Sequence, residues 1–478
     1  MLVLLRGEPY VASDQGVFLS VAGRLLDGDR LYSEVFDNKD PLFFYTYAGA
    51  LWLGGWRGPF MLDAVWLALA GISVALLARE LGAPRPALAA GLVAYPLALA
   101  AGWYLVGLSM LGALAIAPLV PWLWLRRRFA AAGALVVAGM LLKLNLAPLV
   151  AAPLVALVAL GAPSAPRWAA LRRCGLGFGA ALLAAAAFLG ARGALRSYLD
   201  AIAYNVHYSS ARTESEGVVG RAVEHLRVAT DFFYLAGRWQ LPAVLLVLGA
   251  FLLTGVVAWT RGTRPERVLV GIVLVALAAA ALVLATSAYG EEHLQLLAYP
   301  ATLVAVALTW ATYASLGRRA AWVAAASVAA FAMWSCLKVA GGTQVSSLWT
   351  AAPISPGAIA LERARERLLS DERSVPYMVF GSNSEGGHAA FIRREFDLTC
   401  RYFHLYTFSR AEQFDETLEC AERERPVLVL VTLGFFEPYG DFPEWNAYVA
   451  RARSLLDERY QFVEEEHPGV QVWSLRSP

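Results

Sequence analysis

Long runs of apolar residues dominate the first 340 positions of the chain and predict helices that cross a membrane. A helix needs about 20 apolar residues to span the hydrocarbon layer. Runs of this length lie at 60–79, 85–104, 105–124, 174–194, 241–260, 267–286, 293–314 and 319–339. The run 129–161 is longer and is interrupted by KLNLAP, which predicts two short helices joined near Lys143 and Pro148. The pattern therefore predicts a polytopic α-helical membrane protein with about ten visible spans.

After residue 340 the pattern changes to short segments that alternate between the helical period and the strand period. Helices are predicted at 357–372, 410–426 and 443–460, and strands at 376–382, 427–435, 460–466 and 469–475. This alternation predicts a small α/β sandwich at the C-terminus. We therefore divide the chain into a transmembrane domain, 1–339, and an α/β domain, 340–478.

Composition and charge agree with this class and add an orientation. The chain is 58% hydrophobic and 16% charged, whereas a soluble domain is about 25% charged. Its formal charge of +2 gives no reason to expect a nucleic-acid partner. Arginines cluster at 79–85, 126–128, 167–173, 261–267 and 318–319. The positive-inside rule assigns these clusters to the cytoplasm, so the loop 195–240 and the α/β domain are expected outside a plasma membrane.

The stretch 14–40 is unusually polar for the start of a membrane protein. The apolar segment that follows, 41–56, has only 16 residues and is rich in aromatic residues, which favours a helix lying in the membrane interface. The region 13–58 then becomes an outer loop with juxtamembrane helices. Only five apolar residues precede Arg6, so we expect that a first membrane helix begins upstream of the first residue given.

Several polar residues stand where chemistry could take place, and most of them also have a structural explanation. Asp14 could cap a helix or act chemically, and Lys39 could anchor the chain at the interface or bind a phosphate. Lys143 lies deep in an apolar run, where ionisable groups usually mark a functional cavity. His293 stands at an outer helix start, where hydration alone would explain it, and Arg401 could form a surface salt bridge. Cys400 and Cys420 share the exported domain and could be bridged or free.

The order of these motifs resembles the GT-C membrane glycosyltransferases, particularly the relatives of protein O-mannosyltransferases and of the enzymes that add aminoarabinose to lipid A. The resemblance rests on Asp14 followed by LLDGDRLYSEVFDNKDPLFFYTYAGALWLGG, on GMLLKLNLAPLV around Lys143, and on EEHLQLLAYPATLVAVA around His293. The segment YMVFGSNSEGGHAAFIRREFDLTCRYFH is similar to one in the exported domains of bacterial members. Two departures are Gln15, where the family often has a second acid, and Asp40, where it has a proline.

The resemblance implies an inverting transfer of a hexose or pentose from a polyprenyl-phosphate donor to an acceptor of the cell envelope. Asp14 would be the general base, and cationic groups would stabilise the leaving phosphate. The implied substrate-binding residues are Lys39, Asp40, Lys143, Arg212, His293 and Arg401. No cofactor is implied, and Gln15 weakens the case for a divalent metal.

Two other classes of function share some of these features. A multi-span transporter or flippase would also bury charges among its helices, although it should show internal repeats. A non-catalytic protein of envelope assembly needs no base at position 14. Replacing Asp14 separates both classes from the enzyme.

Overall fold

A computed structural model supplies the structure of this protein. It describes residues 14–55, 58–100, 109–161, 166–213, 260, 262–286, 296–342, 356–368, 375–381, 396–405, 409–432, 434–437, 442–467 and 470–476. The chain forms two compact units, which are described in turn. One comprises Leu62–Phe188 and Thr213–Val345, and the other comprises Leu2–Met61, Leu189–Arg212 and Ser346–Pro478.

Apolar helices form the first unit. They are α3 (Gly58–Glu80, which begins in the second unit), α4 (Arg85–Ala100), α5 (Leu111–Ile116), α6 (Leu119–Leu125), α7 (Phe129–Leu142), α8 (Ala147–Ala159), α9 (Arg167–Ala191), α11 (Arg264–Thr286) and α12 (Ala298–Gly342). Within the described residues, four segments are long and apolar enough to cross a membrane: Met61–Glu80, Arg167–Ala191, Arg264–Val283 and Ala298–Ser335. Shorter apolar helices accompany them, and the chain is a membrane protein. The number of spans stays a prediction.

The helix breaks occur where the sequence supplies a physical reason. Lys143 has an extended backbone between α7 and a 3₁₀ turn, Leu144–Leu146, that leads into α8, as the interruption of the run predicted. Gly317 has a φ of 84° and divides α12, close to the predicted boundary between its two spans. The run 105–124 was predicted as one span, but its described part holds two short helices that meet at Pro118. Proline has no backbone N–H and therefore cannot donate a hydrogen bond to the preceding helical turn.

Two glycines let α7 and α9 cross at very short distance. A Cβ atom on Gly133 would lie 2.0 Å from the carbonyl oxygen of Cys174, and one on Gly177 would lie 2.0 Å from that of Ala130. Helices in lipid gain their packing energy from such close backbone approach, because lipid chains are as apolar as the side chains. The crossing therefore depends on the absence of both side chains.

The second unit joins the start of the chain to its end. It contains α1 (Asp14–Asp27), α2 (Pro41–Gly54), α10 (Leu195–Thr213), α13 (Pro356–Leu368), α14 (Ala411–Glu424) and α15 (Pro443–Arg459). The segment 195–240 was predicted as an outer loop, and its first part is the helix α10. With 14 residues, α2 is too short to cross a bilayer, in line with the predicted interfacial helix.

A five-stranded mixed sheet carries the C-terminal part of this unit. Its strands are β1 (Val375–Phe380), β2 (Phe396–Leu398), β3 (Leu428–Val431), β4 (Tyr460–His467) and β5 (Val470–Leu475), in the spatial order β2-β1-β3-β5-β4. The strands β2, β1 and β3 are parallel, and β5 and β4 continue the sheet antiparallel. The predicted strands are confirmed, whereas β2, with three residues, was missed.

Aromatic side chains fill the space between the sheet and the helices α14 and α15. Phe380 of β1 stacks on Phe435, and Phe414 stacks on Tyr448 with ring centroids 4.7 Å apart. Trp445, which is fully buried, packs edge-on against Phe414 and Phe435. Each such side chain buries about 150–250 Å², so this cluster is the main apolar core of the α/β part.

Candidate functional site

Asp14 is the first residue of α1. A residue at this position can accept a hydrogen bond from a free backbone N–H or interact with the positive end of the helix dipole. Its side chain lies outside what the structure describes, so capping and catalysis both remain open for it. The rest of α1 is well packed, with Phe18 against Phe43, Phe44 and Tyr47 of α2.

The loop DNKDP, between residues 37 and 41, concentrates buried charge. Asp37 and Asp40 are both 5% exposed, and the side chain of Lys39 between them is 14% exposed. The Lys39 ammonium donates to Asn38 Oδ1 at 2.7 Å and lies 3.9 Å from Asp37 Oδ1. It also stands 5.4 Å from the centre of the Phe18 ring, within the range of a cation–π contact. The sequence predicted Lys39 and Asp40 as site residues, and the fold holds these two adjacent residues in the same loop.

Two tyrosines and an asparagine secure this loop. Tyr198 of α10 donates its hydroxyl to Asp40 Oδ1 at 3.0 Å, and Asn205 donates Nδ2 to the carbonyl of Asn38 at 2.7 Å. Tyr32 donates to the carbonyl of Lys39 at 2.7 Å. Burial, and secondarily the charge of Asp40, raises the pKa of both tyrosines above the ordinary value. The phenols therefore remain protonated donors at any physiological pH.

Arg24 and Arg401 connect the charged opening stretch to the C-terminal part of the same unit. Arg24 donates to the carbonyl oxygens of Cys400 and Glu34 at 2.7 and 3.0 Å, and it pairs with Asp29. Arg401 donates Nε to the carbonyl of Tyr32 at 2.9 Å and pairs with Glu416 at 3.2 Å. Its guanidinium also lies over the Tyr402 ring at 4.7 Å. Arg401 thus has structural partners, and its predicted role in substrate binding stays a prediction.

A disulfide joins Cys400 to Cys420, with Cα atoms 6.0 Å apart. This confirms the hypothesis that the two cysteines of the α/β domain are bridged. The bond ties the segment after β2 to α14. Arg24 binds the Cys400 carbonyl, and Arg401, which belongs to this segment, binds the Tyr32 carbonyl. The disulfide therefore anchors the segment that contacts the opening stretch.

Lys143 belongs to the other unit and is half-buried at the break between α7 and α8. Its ammonium donates to Ser109 Oγ at 2.9 Å, and Ser109 is itself buried. A polar partner of this kind lowers the cost of an ammonium inside a membrane unit. The predicted cavity shared with Lys39 stays a prediction.

The structure describes less of the two remaining predicted residues, Arg212 and His293. Arg212 belongs to the last turn of α10, but its side chain is outside the described part, and His293 lies outside the described residues altogether. Among the residues that the structure does describe, no group of three His, Cys, Asp or Glu side chains could hold a metal ion.

The sequence analysis missed the residues that support the loop. Tyr198, Ala201 and Asn205 recur at a helical spacing in a stretch that was predicted as a polar loop, and this periodicity is the signal that could have revealed α10. Nothing local indicated that Arg24 binds Cys400, because the two residues are 376 positions apart.

Comparisons with known proteins identify the fold. No protein-family model matches the chain, and no curated protein matches it. Among solved structures, the chain is similar to ArnT from Cupriavidus metallidurans, crystallised with undecaprenyl phosphate, at 15% identity and a TM-score of 0.52. That alignment covers 99% of this chain and 95% of ArnT. A second similar structure is the Archaeoglobus fulgidus oligosaccharyltransferase, at 12% identity and a TM-score of 0.53, covering 99% of this chain and 72% of the other.

The chain therefore has the fold of these two structures, in agreement with the GT-C fold that the sequence resemblance predicted. At these identities the likeness concerns the fold. The chemistry has to be argued from the residues of the site.

Proposed function

We propose that this protein is a membrane glycosyltransferase that moves a sugar from a polyprenyl-phosphate carrier to an acceptor of the cell envelope. The observation that carries the proposal is the loop 37–41, where a half-buried lysine is fixed beside two buried carboxylates on a GT-C fold. Buried charge held by several hydrogen bonds is costly to build and is typical of functional sites. The ArnT structure, which shares the fold over nearly its whole length, holds a polyprenyl phosphate.

The reaction that we assign is a displacement with inversion. The acceptor hydroxyl oxygen forms a bond to the anomeric carbon while the bond from that carbon to the phosphate oxygen breaks. The hydroxyl proton passes to the carboxylate of Asp14, and the polyprenyl phosphate leaves with the bonding electrons. A carboxylate of ordinary pKa, about 3.9, is a weak base, so proton transfer accompanies the attack rather than preceding it.

The leaving phosphate requires positive charge, and the loop alone supplies little of it. Asp37 and Asp40 outnumber Lys39, so the loop has a formal charge of about −1 at neutral pH. Lys39 therefore contributes one localised positive charge, and further positive charge has to come from elsewhere. We propose Lys143, Arg212 and His293 as the additional cationic partners. The carboxylate of Asp40 and the guanidinium of Arg401 complete the proposed binding set. We expect no cofactor, and Gln15 in place of a second acid gives no support for a divalent metal.

The proposed location is the outer face of an inner or plasma membrane. The arginine clusters between the apolar helices favour this orientation by the positive-inside rule. The polyprenyl-phosphate donor, the acceptor and membrane lipids are the expected partners.

The test compares cells and purified protein. Deleting the gene should remove a sugar from one envelope component, as measured by mass spectrometry of envelope lipids, glycans and proteins. A Lys39→Met protein should fail to restore that sugar, whereas the matched variant Lys338→Met, which changes a lysine outside the proposed site, should restore it.

Purified protein in detergent distinguishes the enzyme from a flippase. Detergent removes the two compartments between which a flippase moves its substrate. When an envelope extract supplies the acceptor, only an enzyme therefore transfers the sugar to it and releases polyprenyl phosphate. Absence of release, together with an unchanged envelope in the deletion strain, would contradict the proposal.

A further inference from the structure

The loop around Lys39 is held by contacts that come from a helix far away in the sequence. Tyr198 and Asn205 lie seven residues apart on α10, which corresponds to two helical turns on one face. They bind the two residues that flank Lys39: Tyr198 reaches the Asp40 carboxylate and Asn205 reaches the Asn38 carbonyl. The lysine is thus bracketed by two hydrogen bonds to a single rigid element.

The backbone of Lys39 is fixed as well. Its N–H donates to Asp37 Oδ1 at 2.9 Å, and its carbonyl accepts from the Tyr32 hydroxyl at 2.7 Å. The ring of Tyr32 in turn stacks on that of Tyr198, with centroids 5.4 Å apart. Tyr198 therefore supports the lysine by two routes, through Asp40 and through Tyr32.

Tyr32 itself has a backbone conformation that side chains rarely adopt. Its φ is 65°, and a bulky residue in this region is an outlier that persists only where the surroundings impose it. The Tyr32 N–H donates to Val35 at 2.7 Å and its carbonyl accepts from Arg401. Such strain is concentrated at functional sites. Here the conformation accompanies the hydrogen bond from the Tyr32 hydroxyl to the Lys39 carbonyl.

We propose that Tyr198 and Asn205 are positioning residues, which set the place and direction of the Lys39 ammonium without touching the substrate. The proposal rests on the proposed function only for what Lys39 binds. The positioning itself concerns the loop and can be measured without any donor.

The donor-independent test uses the scarcity of lysine in this chain. Lys39, Lys143 and Lys338 are the only lysines, so acylation of each by an N-hydroxysuccinimide ester can be followed by peptide mass spectrometry. In Tyr198→Phe, which keeps the ring and removes the donor, we expect Lys39 to react about tenfold faster, because the loop loses a hydrogen bond to a charged group. Asn205→Ala should give a smaller increase.

The matched control is Tyr460→Phe. The Tyr460 hydroxyl is buried and has no hydrogen-bond partner among the described residues, so its removal should leave the Lys39 rate unchanged. Lys143, in the other unit, is the internal reference. Equal Lys39 rates in Tyr198→Phe, Asn205→Ala and Tyr460→Phe would overturn the proposal, and so would a parallel rise at Lys143, which would indicate general loosening.

A second measurement connects the positioning to the site. With undecaprenyl phosphate as the probe, Tyr198→Phe should weaken binding about tenfold, and adding it to Lys39→Met should weaken binding no further. Full additivity of the two losses would mean that Tyr198 acts independently of Lys39 and would overturn the proposal. If the wild-type protein does not bind the probe but Tyr198→Phe still accelerates acylation of Lys39, the proposed function fails and the positioning stands.

Discussion

At the scale of single residues, Asp14 is the position where a structural role and a catalytic role predict different results. Asp14→Asn keeps the shape of the side chain and its ability to accept a hydrogen bond. Asparagine is about as good a helix cap as aspartate, so stability should be unchanged under either role. If Asp14 is the base, the transfer rate should fall by about 10²–10⁴-fold, since an amide does not take up the proton.

The measurement is the initial rate of sugar transfer by purified Asp14→Asn protein, with the thermal midpoint measured in parallel. Gln15→Asn is the matched control, because it alters the neighbouring side chain and leaves the carboxylate. A variant that transfers sugar at the wild-type rate would remove Asp14 from the mechanism.

At the scale of secondary-structure elements, the sequence predicted what depends on local composition. The apolar runs, the interruption at Lys143 and the boundary near Gly317 all follow from residues close together in the chain. The strand β2 was missed because its three residues, Phe396–Leu398, are too few to establish a period of two. These residues form a strand through parallel hydrogen bonding with β1, which is distant from them in the sequence pattern.

The supports of the candidate site were not predictable for a different reason. Tyr198 meets Asp40 across 158 positions and Arg401 meets Tyr32 across 369, and no local pattern encodes such pairs. A tyrosine in a polar stretch is compatible with many environments. Lys39 and Asp40 were found because the motif that contains them resembles a family, whereas Tyr198 and Asn205, which hold them, belong to no motif.

The disulfide is an element-scale feature with a testable contribution to stability. Cys400 and Cys420 are 20 residues apart, and closing a loop of this length stabilises a fold by about 3 kcal/mol in the chain-entropy model. The double variant Cys400→Ser/Cys420→Ser should therefore unfold at lower denaturant concentration. Because the Cys400 carbonyl accepts from Arg24, the contact of α1 with this segment should loosen as well.

Near-ultraviolet circular dichroism in a urea series measures this change. Cys174→Ser is the control, because Cys174 is a free cysteine in α9 of the other unit. Identical midpoints for the double variant and the wild-type protein would show that the disulfide adds nothing to the stability of the α/β part.

At the scale of the whole molecule, the second unit restricts the topology in the membrane. Arg24 of α1 binds the carbonyl of Cys400, and the N–H of Phe36 donates to the carbonyl of Arg401 at 3.1 Å. Direct hydrogen bonds do not form across a bilayer about 30 Å thick. The opening stretch and the α/β sheet must therefore lie on the same side of the membrane, which the distribution of arginines also predicts.

Single cysteines introduced on a background without Cys174 and Cys336 test this topology. A membrane-impermeant maleimide added to intact spheroplasts should label Ser33→Cys in the opening stretch and Ser454→Cys on the exposed face of α15. It should label Arg128→Cys, in the arginine cluster after α6, only after the membrane is opened. Labelling of Ser33→Cys and Ser454→Cys from opposite sides would contradict the contacts within the second unit. If Ser33→Cys and Ser454→Cys are labelled only under the conditions that also label Arg128→Cys, the contacts within the second unit stand. That result would contradict the positive-inside orientation and the outer location of the site.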